Sequence, residues 1–267
     1  MCRRGHRSVM ERCRKDVVKI RGGKAKMRRE TIYLSPSKQP ENRYAAGNTN
    51  EEKEMVAVAK LLKKILEEDY GLAVVLANLS LDISQRGRPK EAKDKGCSLY
   101  IALHSNAGGG GKASGAVALY HPKSPKSLVL SKILVEELDG ICPYKSNRAR
   151  NLVNGMESFN GIGFAEVRSP FNLGLTPVLM ETNFHDHKDI ALWIIGHKED
   201  IAKAYARAIA RFLEVDQKAQ EMELIKESPK EEGLYRVQVG AFRKRENAET
   251  LVQKLWQQGF EGFIRYS

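Results

Sequence analysis

The stretch that decides the fold is Tyr100-Ile101-Ala102-Leu103-His104-Ser105-Asn106-Ala107, which runs into four glycines at 108–111. The part before His104 is apolar, contains an aromatic and a β-branched residue, and is too short for a helix, so it predicts a buried strand. His104 comes where this strand ends. In an α/β sheet, ligands and catalytic groups collect beyond the carboxyl ends of the strands. A lone histidine there is about as often an ordinary core residue, so the rest of the chain must decide.

A second stretch repeats this pattern. Residues 176–181, Thr-Pro-Val-Leu-Met-Glu, form a short apolar run that ends in Glu181 and is followed by Asn183 and His185. Two separate strands are therefore predicted to end in a side chain that can bind a metal or move a proton.

A third candidate, Glu51, lies at the start of a predicted helix. Thr49-Asn50-Glu51-Glu52 has the form of a capping box. Apolar residues then recur at the spacing of one helix face, at Met55, Val58, Ala59, Leu62, Ile65 and Leu66. Glu51 lies one turn before Met55 on that face, and a buried carboxylate must be neutral, paired or bound to a metal. The alternative is an acid that stays solvated and complements the helix dipole.

The remaining pattern places these residues in one α/β domain over residues 31–213. Strands are predicted at 31–34, 72–77 and 115–120, helices at 127–138 and 190–213, and a polar helix or turn at 83–95. Residues 141–174 break into Gly, Asn, Arg and Ser, which favours a long irregular flap. Alternating strands and helices predict a mainly parallel twisted sheet flanked by helices.

The net charge of +12 is concentrated at one end of the chain. Residues 1–30 hold twelve Lys and Arg against three Asp and Glu, and account for nine of the twelve positive charges. We expect this extension to be disordered, with a start at Met27 as an alternative, and we expect no nucleic-acid partner because the rest of the chain is nearly balanced.

The sequence contains no apolar run of ~18 residues, so no membrane span is expected. The basic N-terminus lacks the apolar segment of a secretory signal. We expect synthesis in the cytoplasm, and action outside it would then need lysis or release by another route.

A charged linker at 214–232 is predicted to lead to a small C-terminal unit at 233–267. Residues 235–242 alternate as a strand does, 247–258 are predicted to form a helix that ends at Gly259, and 260–266 a second strand. This βαβ unit leaves an open sheet edge, which would need a partner.

Glu51 and His104 together suit one chemistry. A carboxylate and a neutral imidazole, with one position open to water, hold catalytic Zn²⁺. The metal lowers the pKa of water and polarises a carbonyl, and a nearby carboxylate moves the proton. Glu181 is the candidate for that role.

These motifs carry a family resemblance. Asn50-Glu51 opening a helix, then residues 103–107 (Leu-His-Ser-Asn-Ala), then residues 177–184 (Pro-Val-Leu-Met-Glu-Thr-Asn-Phe), resemble in their order the zinc-dependent N-acetylmuramoyl-L-alanine amidases of the type 3 family. The resemblance implies that Glu51 and His104 are zinc ligands and that Glu181 is the catalytic acid and base. The implied substrate is peptidoglycan, cleaved between muramic acid and L-alanine.

One motif departs from the family. Its members usually carry a histidine ligand after the first strand, and here that turn reads Ser35-Pro36-Ser37-Lys38-Gln39. A charged lysine has no lone pair to offer. The sequence is similar to a sub-group with Ser-Pro-Ser-x-Gln, so Gln39 is the favoured third ligand, with water or His185 as alternatives. With such a ligand, a divalent ion other than zinc is also a candidate.

The C-terminal unit is similar to the first half of SPOR domains, which bind peptidoglycan glycan strands. Half a domain suggests either a truncated gene or self-association with another copy. Asn106 and Asn183 lie beside the expected metal site and are candidates for contact with substrate. The competing function is a metal-poor, non-catalytic wall-binding or regulatory protein on the same fold.

Overall fold

The computed structural model describes residues 30–217, 240–257 and 264. The chain divides into two compact units, residues 1–220 and 221–267. In chain order the elements are β1 (Thr31–Pro36), α1 (Glu51–Glu68), β2 (Ala73–Leu76), α2 (Arg88–Asp94), β3 (Leu99–Asn106), β4 (Val117–Tyr120), α3 (Pro125–Ile141), β5 (Leu152–Asn154), α4 (Ala165–Asn172), β6 (Thr176–Phe184), α5 (Lys188–Gly196), α6 (Lys198–Leu213) and α7 (Arg245–Gln257).

The first unit is built on a six-stranded sheet in the order β2-β1-β3-β6-β4-β5. All neighbouring strands are parallel except β4 and β6, which are antiparallel. A parallel return needs a crossover of about a dozen residues or more. The ten residues between β3 and β4 contain no helix. Strand β4 accordingly returns in the direction opposite to β3, and it is therefore antiparallel to β6, the strand that lies between them. The mainly parallel α/β sheet predicted from the sequence is confirmed.

Two cores lie on opposite faces of this sheet. One contains Ile101 and Leu103 of β3 and is covered by α1, α3 and α6. The other contains Tyr100 and Ala102, together with side chains of α2 and α4. Because side chains alternate along a strand, His104 continues the row of Tyr100 and Ala102. The sheet therefore presents His104 on the face that α2 and α4 cover.

The sequence-based expectations need three corrections. The side chain that caps α1 belongs to Asn50, which accepts a hydrogen bond from the Lys53 backbone N–H at 2.9 Å, so the expected cap at Thr49 is one residue too early. The helix predicted at 127–138 is longer at both ends, because α3 runs from Pro125 to Ile141. Residues 141–174 are not one irregular flap, because they contain β5, which pairs with β4, and α4, which packs against β6. A short strand and an eight-residue helix give too little periodicity to stand out among turn residues.

In the second unit the structure describes α7, close to the expected helix. Both strands predicted beside it fall on residues outside the described ones, apart from a few positions. Among the described helices, none combines the length and the apolar character that crossing a membrane requires.

Candidate active site

The register of β3 and β6 brings two of the predicted residues together. His104 and Glu181 are direct partners in the parallel pair. Their side chains therefore lie side by side on the same face, at the carboxyl ends of both strands. The spacing between adjacent strands, about 5 Å, is short enough for the two groups to influence each other's charge.

Glu51 reaches this place from the first turn of α1. The Asn50 cap fixes where the helix begins, and the Glu51 backbone N–H donates to the Asn42 carbonyl at 2.9 Å. The Asn42 amide group donates to Glu51 Oε2 at 2.7 Å. Glu51 is only 1% exposed, so the alternative of a solvated acid that merely complements the helix dipole is wrong.

His104 lies between two carboxylates. Its Nδ1 is 2.8 Å from Glu51 Oε1, and its Nε2 is 2.8 Å from Glu166 Oε2. All three side chains are buried. Buried charges need partners, and in this row two carboxylates share one imidazole.

Glu166 is the residue that the sequence analysis missed. It lies in the first turn of α4, where its Oε1 accepts from Ser35 at 2.6 Å and from Tyr100 at 3.0 Å. Behind Ser35, the buried Arg88 donates to the Ser35 hydroxyl at 3.1 Å and to the Pro36 carbonyl at 2.6 Å. The one signal in the sequence was an acid next to the apolar Val167, too weak to identify a site.

The charges of the cluster follow from these contacts. Burial raises the pKa of Glu181 to about 7, with His104 lowering it and Glu51 and Glu166 raising it further. Burial also opposes ionisation of Glu51 and Glu166, but hydrogen bonds and charge attraction from His104 outweigh it and lower both pKa values. Burial would lower the pKa of His104, but its two carboxylate partners raise it well above the usual value.

Glu181 differs from the other two acids in its bonding. It is half-buried, and its Oε2 is a buried oxygen that has no hydrogen-bond partner among the described residues. A buried polar atom without a partner is uncommon and points to a missing group or to function. The unpaired oxygen belongs to the residue that is paired in register with His104.

The donor set suits a divalent cation in part. Glu51 and the Nδ1 atom of His104 supply a carboxylate oxygen and an imidazole nitrogen, and the unpaired Glu181 oxygen lies near them. These are the donor types that Zn²⁺ binds. Over the described ranges, no three His, Cys, Asp or Glu side chains are gathered so as to hold a metal ion. A third ligand of another type would have to complete the set.

Gln39 lies next to Glu51 through one shared partner. The Asn42 amide nitrogen that donates to Glu51 also contacts Gln39 Oε1. Gln39 itself is exposed. Lys38 is directed elsewhere, because its Nζ donates to the Ser80 carbonyl at 3.1 Å. The assignment of Gln39 as a ligand stays a prediction.

His185 is held on another part of the site. Its Nδ1 is 2.9 Å from the Ser105 hydroxyl, and its ring stacks on Tyr44 at 4.8 Å. Ser105 lies where the register of β3 and β6 shifts, and its hydroxyl is also 2.8 Å from the Tyr44 hydroxyl. Burial lowers the pKa of His185, which favours a neutral ring.

Asn106 and Asn183 have different environments. Asn106 is half-buried at the end of β3, and its Oδ1 accepts from the backbone N–H of Ala107. Asn183 is buried, and its Oδ1 accepts from the N–H groups of Gly115 and Phe184 at 3.0 and 2.8 Å. Asn183 thus ties β6 to the segment before β4, whereas Asn106 remains open to a contact from solvent.

The sequence pattern of the N-acetylmuramoyl-L-alanine amidase family Amidase_3 matches residues 32–211. The chain belongs to this amidase family. The pattern of the SPOR domain matches residues 231–267. The chain is thus a peptidoglycan amidase family member with a SPOR domain at its C-terminal end.

Individual proteins agree with this family membership. The amidase is 23% identical over 240 residues to N-acetylmuramoyl-L-alanine amidase CwlM of Bacillus licheniformis, covering 88% of this chain and 84% of the relative. It is 26% identical over 238 residues to a sporulation-specific N-acetylmuramoyl-L-alanine amidase of Bacillus subtilis, covering 87% and 83%.

Solved structures share the fold of the amidase. N-acetylmuramoyl-L-alanine amidase AmiC2 of Nostoc punctiforme superimposes with a TM-score of 0.58 at 16% identity, over 70% of this chain and 98% of the other. The catalytic domain of CwlV from Bacillus (Paenibacillus) polymyxa var. colistinus gives 0.56 at 17% identity, over 70% and 99%.

Proposed function

We propose that this amidase hydrolyses the amide bond between N-acetylmuramic acid and L-alanine in peptidoglycan, with one divalent ion, Zn²⁺, held by Glu51 and His104. The observation that carries the proposal is Glu181. It combines an unpaired buried oxygen with a pKa of about 7 and lies beside His104 in register.

Glu181 can serve as both base and acid in this reaction. A carboxyl group with a pKa close to the working pH accepts and returns protons with little cost in either direction. The Glu181 carboxylate takes a proton from the attacking water as the water oxygen bonds to the lactyl carbonyl carbon. It then delivers a proton to the amide nitrogen as the carbon–nitrogen bond breaks, and L-alanine leaves with a free amino group.

The other side chains bind and orient. A bound Zn²⁺ would polarise the carbonyl and lower the pKa of water. Glu51 and the Nδ1 atom of His104 would hold it, and Gln39 is our proposed third ligand, with water or His185 as alternatives. An amide oxygen binds zinc more weakly than an imidazole nitrogen does, so a divalent ion other than zinc is also a candidate. Asn106 is proposed to line the substrate pocket.

The C-terminal unit is proposed to bring the enzyme to its substrate. The SPOR domain match over residues 231–267 supports binding to peptidoglycan glycan strands. Self-association through this unit and release to the wall by lysis remain predictions.

Purified peptidoglycan provides the test. We expect wild type to release free L-alanine amino termini without new reducing sugar ends, and to contain one equivalent of zinc by elemental analysis. Glu181→Gln should retain zinc and lose turnover by at least a hundredfold, and His104→Ala should lose both.

Two results would count against the proposal. Equal turnover in Glu181→Gln and wild type would reject the role of Glu181. A wild type that binds peptidoglycan but releases no amino termini with zinc, manganese or cobalt added would instead support the non-catalytic wall-binding function.

A further inference from the structure

We propose that Glu166 is a positioning residue, which fixes the ring of His104 so that Nδ1 is the nitrogen left for the cation. This inference rests on the proposed function. Glu166 is 2% exposed and is held at both carboxylate oxygens, by Ser35 and Tyr100 at Oε1 and by His104 at Oε2.

The direction of these hydrogen bonds follows from Arg88. A guanidinium group only donates, so the contact of Arg88 with the Ser35 hydroxyl occupies a lone pair of that oxygen. The Ser35 hydrogen is then free to point to Glu166 Oε1, 2.6 Å away. The Tyr100 hydroxyl donates to the same oxygen. Glu166 is thereby held as a carboxylate that only accepts.

An accepting carboxylate decides which nitrogen of His104 carries hydrogen. Glu166 Oε2 lies 2.8 Å from Nε2, so Nε2 must be the donor in that bond. The remaining nitrogen, Nδ1, lies 2.8 Å from Glu51 Oε1. It is the position at which a cation can take the place of a hydrogen between His104 and Glu51. A partner on the far nitrogen is what keeps metal-binding imidazoles in one tautomer and orientation.

The position of Glu166 gives the arrangement its rigidity. Ser35, Tyr100 and His104 come from β1 and β3, which are adjacent parallel strands. Glu166 reaches them from α4, on the side of His104 away from Glu51. The same helix packs on β6, which carries Glu181. Residues of three elements, β1, β3 and α4, therefore meet at one carboxylate. Without Glu166 the His104 ring would keep a bond at one nitrogen only and could turn about its Cβ–Cγ bond.

The direct test is the ring hydrogen of His104. Two-bond proton–nitrogen spectra of the full chain, assigned by comparison with His104→Asn, should show a slowly exchanging hydrogen on Nε2 in wild type, with and without zinc. In Glu166→Ala this hydrogen should lose its protection. Glu166→Gln keeps an accepting oxygen and should lie between the two.

Zinc affinity gives a second readout. In competition with a chelating dye, we expect Glu166→Ala to bind zinc 10–100-fold more weakly than wild type, and Glu166→Gln to be affected less. Glu54→Gln is the matched control, since Glu54 is also a buried acid in the first turn of a helix but contacts Thr49 and Lys198. Its zinc affinity should equal that of wild type.

The outcomes separate this inference from the proposed function. Wild-type zinc affinity in folded Glu166→Ala and Glu166→Gln, or an unprotected Nε2 hydrogen in wild type, would overturn the role of Glu166. A wild type that binds no zinc would overturn the metal proposal, and the Nε2 hydrogen would then still decide the positioning role in the metal-free protein. If Glu166→Ala unfolds, Glu166→Gln carries both measurements.

Discussion

Replacing Glu181 by glutamine should make the metal-free protein more stable at neutral and alkaline pH. Glutamine has the shape of the protonated acid but never ionises. In the folded protein the pKa of Glu181 is about 7, compared with 4.5 as its ordinary value. Between these two values the folded chain keeps a proton that the unfolded chain releases.

The sign and size of the effect follow from linkage. Since the folded state binds more protons here, stability falls as pH rises from about 4.5 to about 7. The difference of about 2.5 pH units, at about 1.4 kcal/mol per unit, corresponds to an upper limit of about 3.5 kcal/mol. At pH 8 Glu181→Gln should therefore unfold at higher urea concentration than wild type, and at pH 4.5 the two should be nearly equal.

Urea unfolding of chelator-treated full-length protein, from pH 4.5 to 8.5, measures this difference. Tryptophan fluorescence is a suitable signal because Trp193 is buried. The exposed Glu157 provides a control. The difference in unfolding free energy between Glu157→Gln and wild type should not grow as pH rises. If the difference in stability between Glu181→Gln and wild type does not widen as pH rises, then Glu181 ionises like an ordinary acid. A raised pKa for this buried, unpaired carboxyl group is then wrong.

Three further changes test how the fold supports this site. Leu62→Ala removes a fully buried side chain from the core under α1 and should lower the free energy of unfolding by about 2–5 kcal/mol in urea titrations. Asn50→Ala deletes the helix cap beside the site and should cost about 1 kcal/mol in the same assay. Gly115→Ala should lower the melting temperature by several degrees, because Gly115 has a φ of +113° and a Cβ there would lie 2.1 Å from Ser146 Oγ. Gly196→Ala, where a Cβ meets nothing within 4 Å, is its control and should not lower it.

The part of the site that sequence could predict comes from strand ends and one helix start. Parallel strands end at the same edge of a sheet, so His104 and Glu181 could be placed together without any coordinates. Glu51 could be added because a helix that begins with a carboxylate on its apolar face must give that charge a partner. These three inferences use periodicity and the general geometry of α/β sheets only.

Glu166 could not be found in this way. It comes from α4, a short helix between glycine-rich turns, and its partners Ser35 and Tyr100 are 131 and 66 residues away in the chain. Periodicity identifies long elements and gives no information on which distant side chains meet. The antiparallel direction of β4 could not be predicted from the sequence either. It depends on the connection between β3 and β4, which is short and contains no helix.

The charges of the cluster bear on whether the proposed metal site can work without the family histidine. The lowered pKa values of Glu51 and Glu166 and the raised pKa of His104 favour two carboxylates facing one charged ring, and below about pH 7 the raised pKa of Glu181 favours its neutral form, so the cluster then carries an excess of about one negative charge. A divalent cation that displaces one hydrogen from His104 adds one net positive charge and balances that excess. A neutral histidine and a neutral glutamine contribute equally to this balance, so exchanging one for the other would change the strength of a ligand and not the charge of the proposed site. In the proposed metal site, the acids beside His104 would thus balance the charge of the cation with either histidine or glutamine as the third ligand.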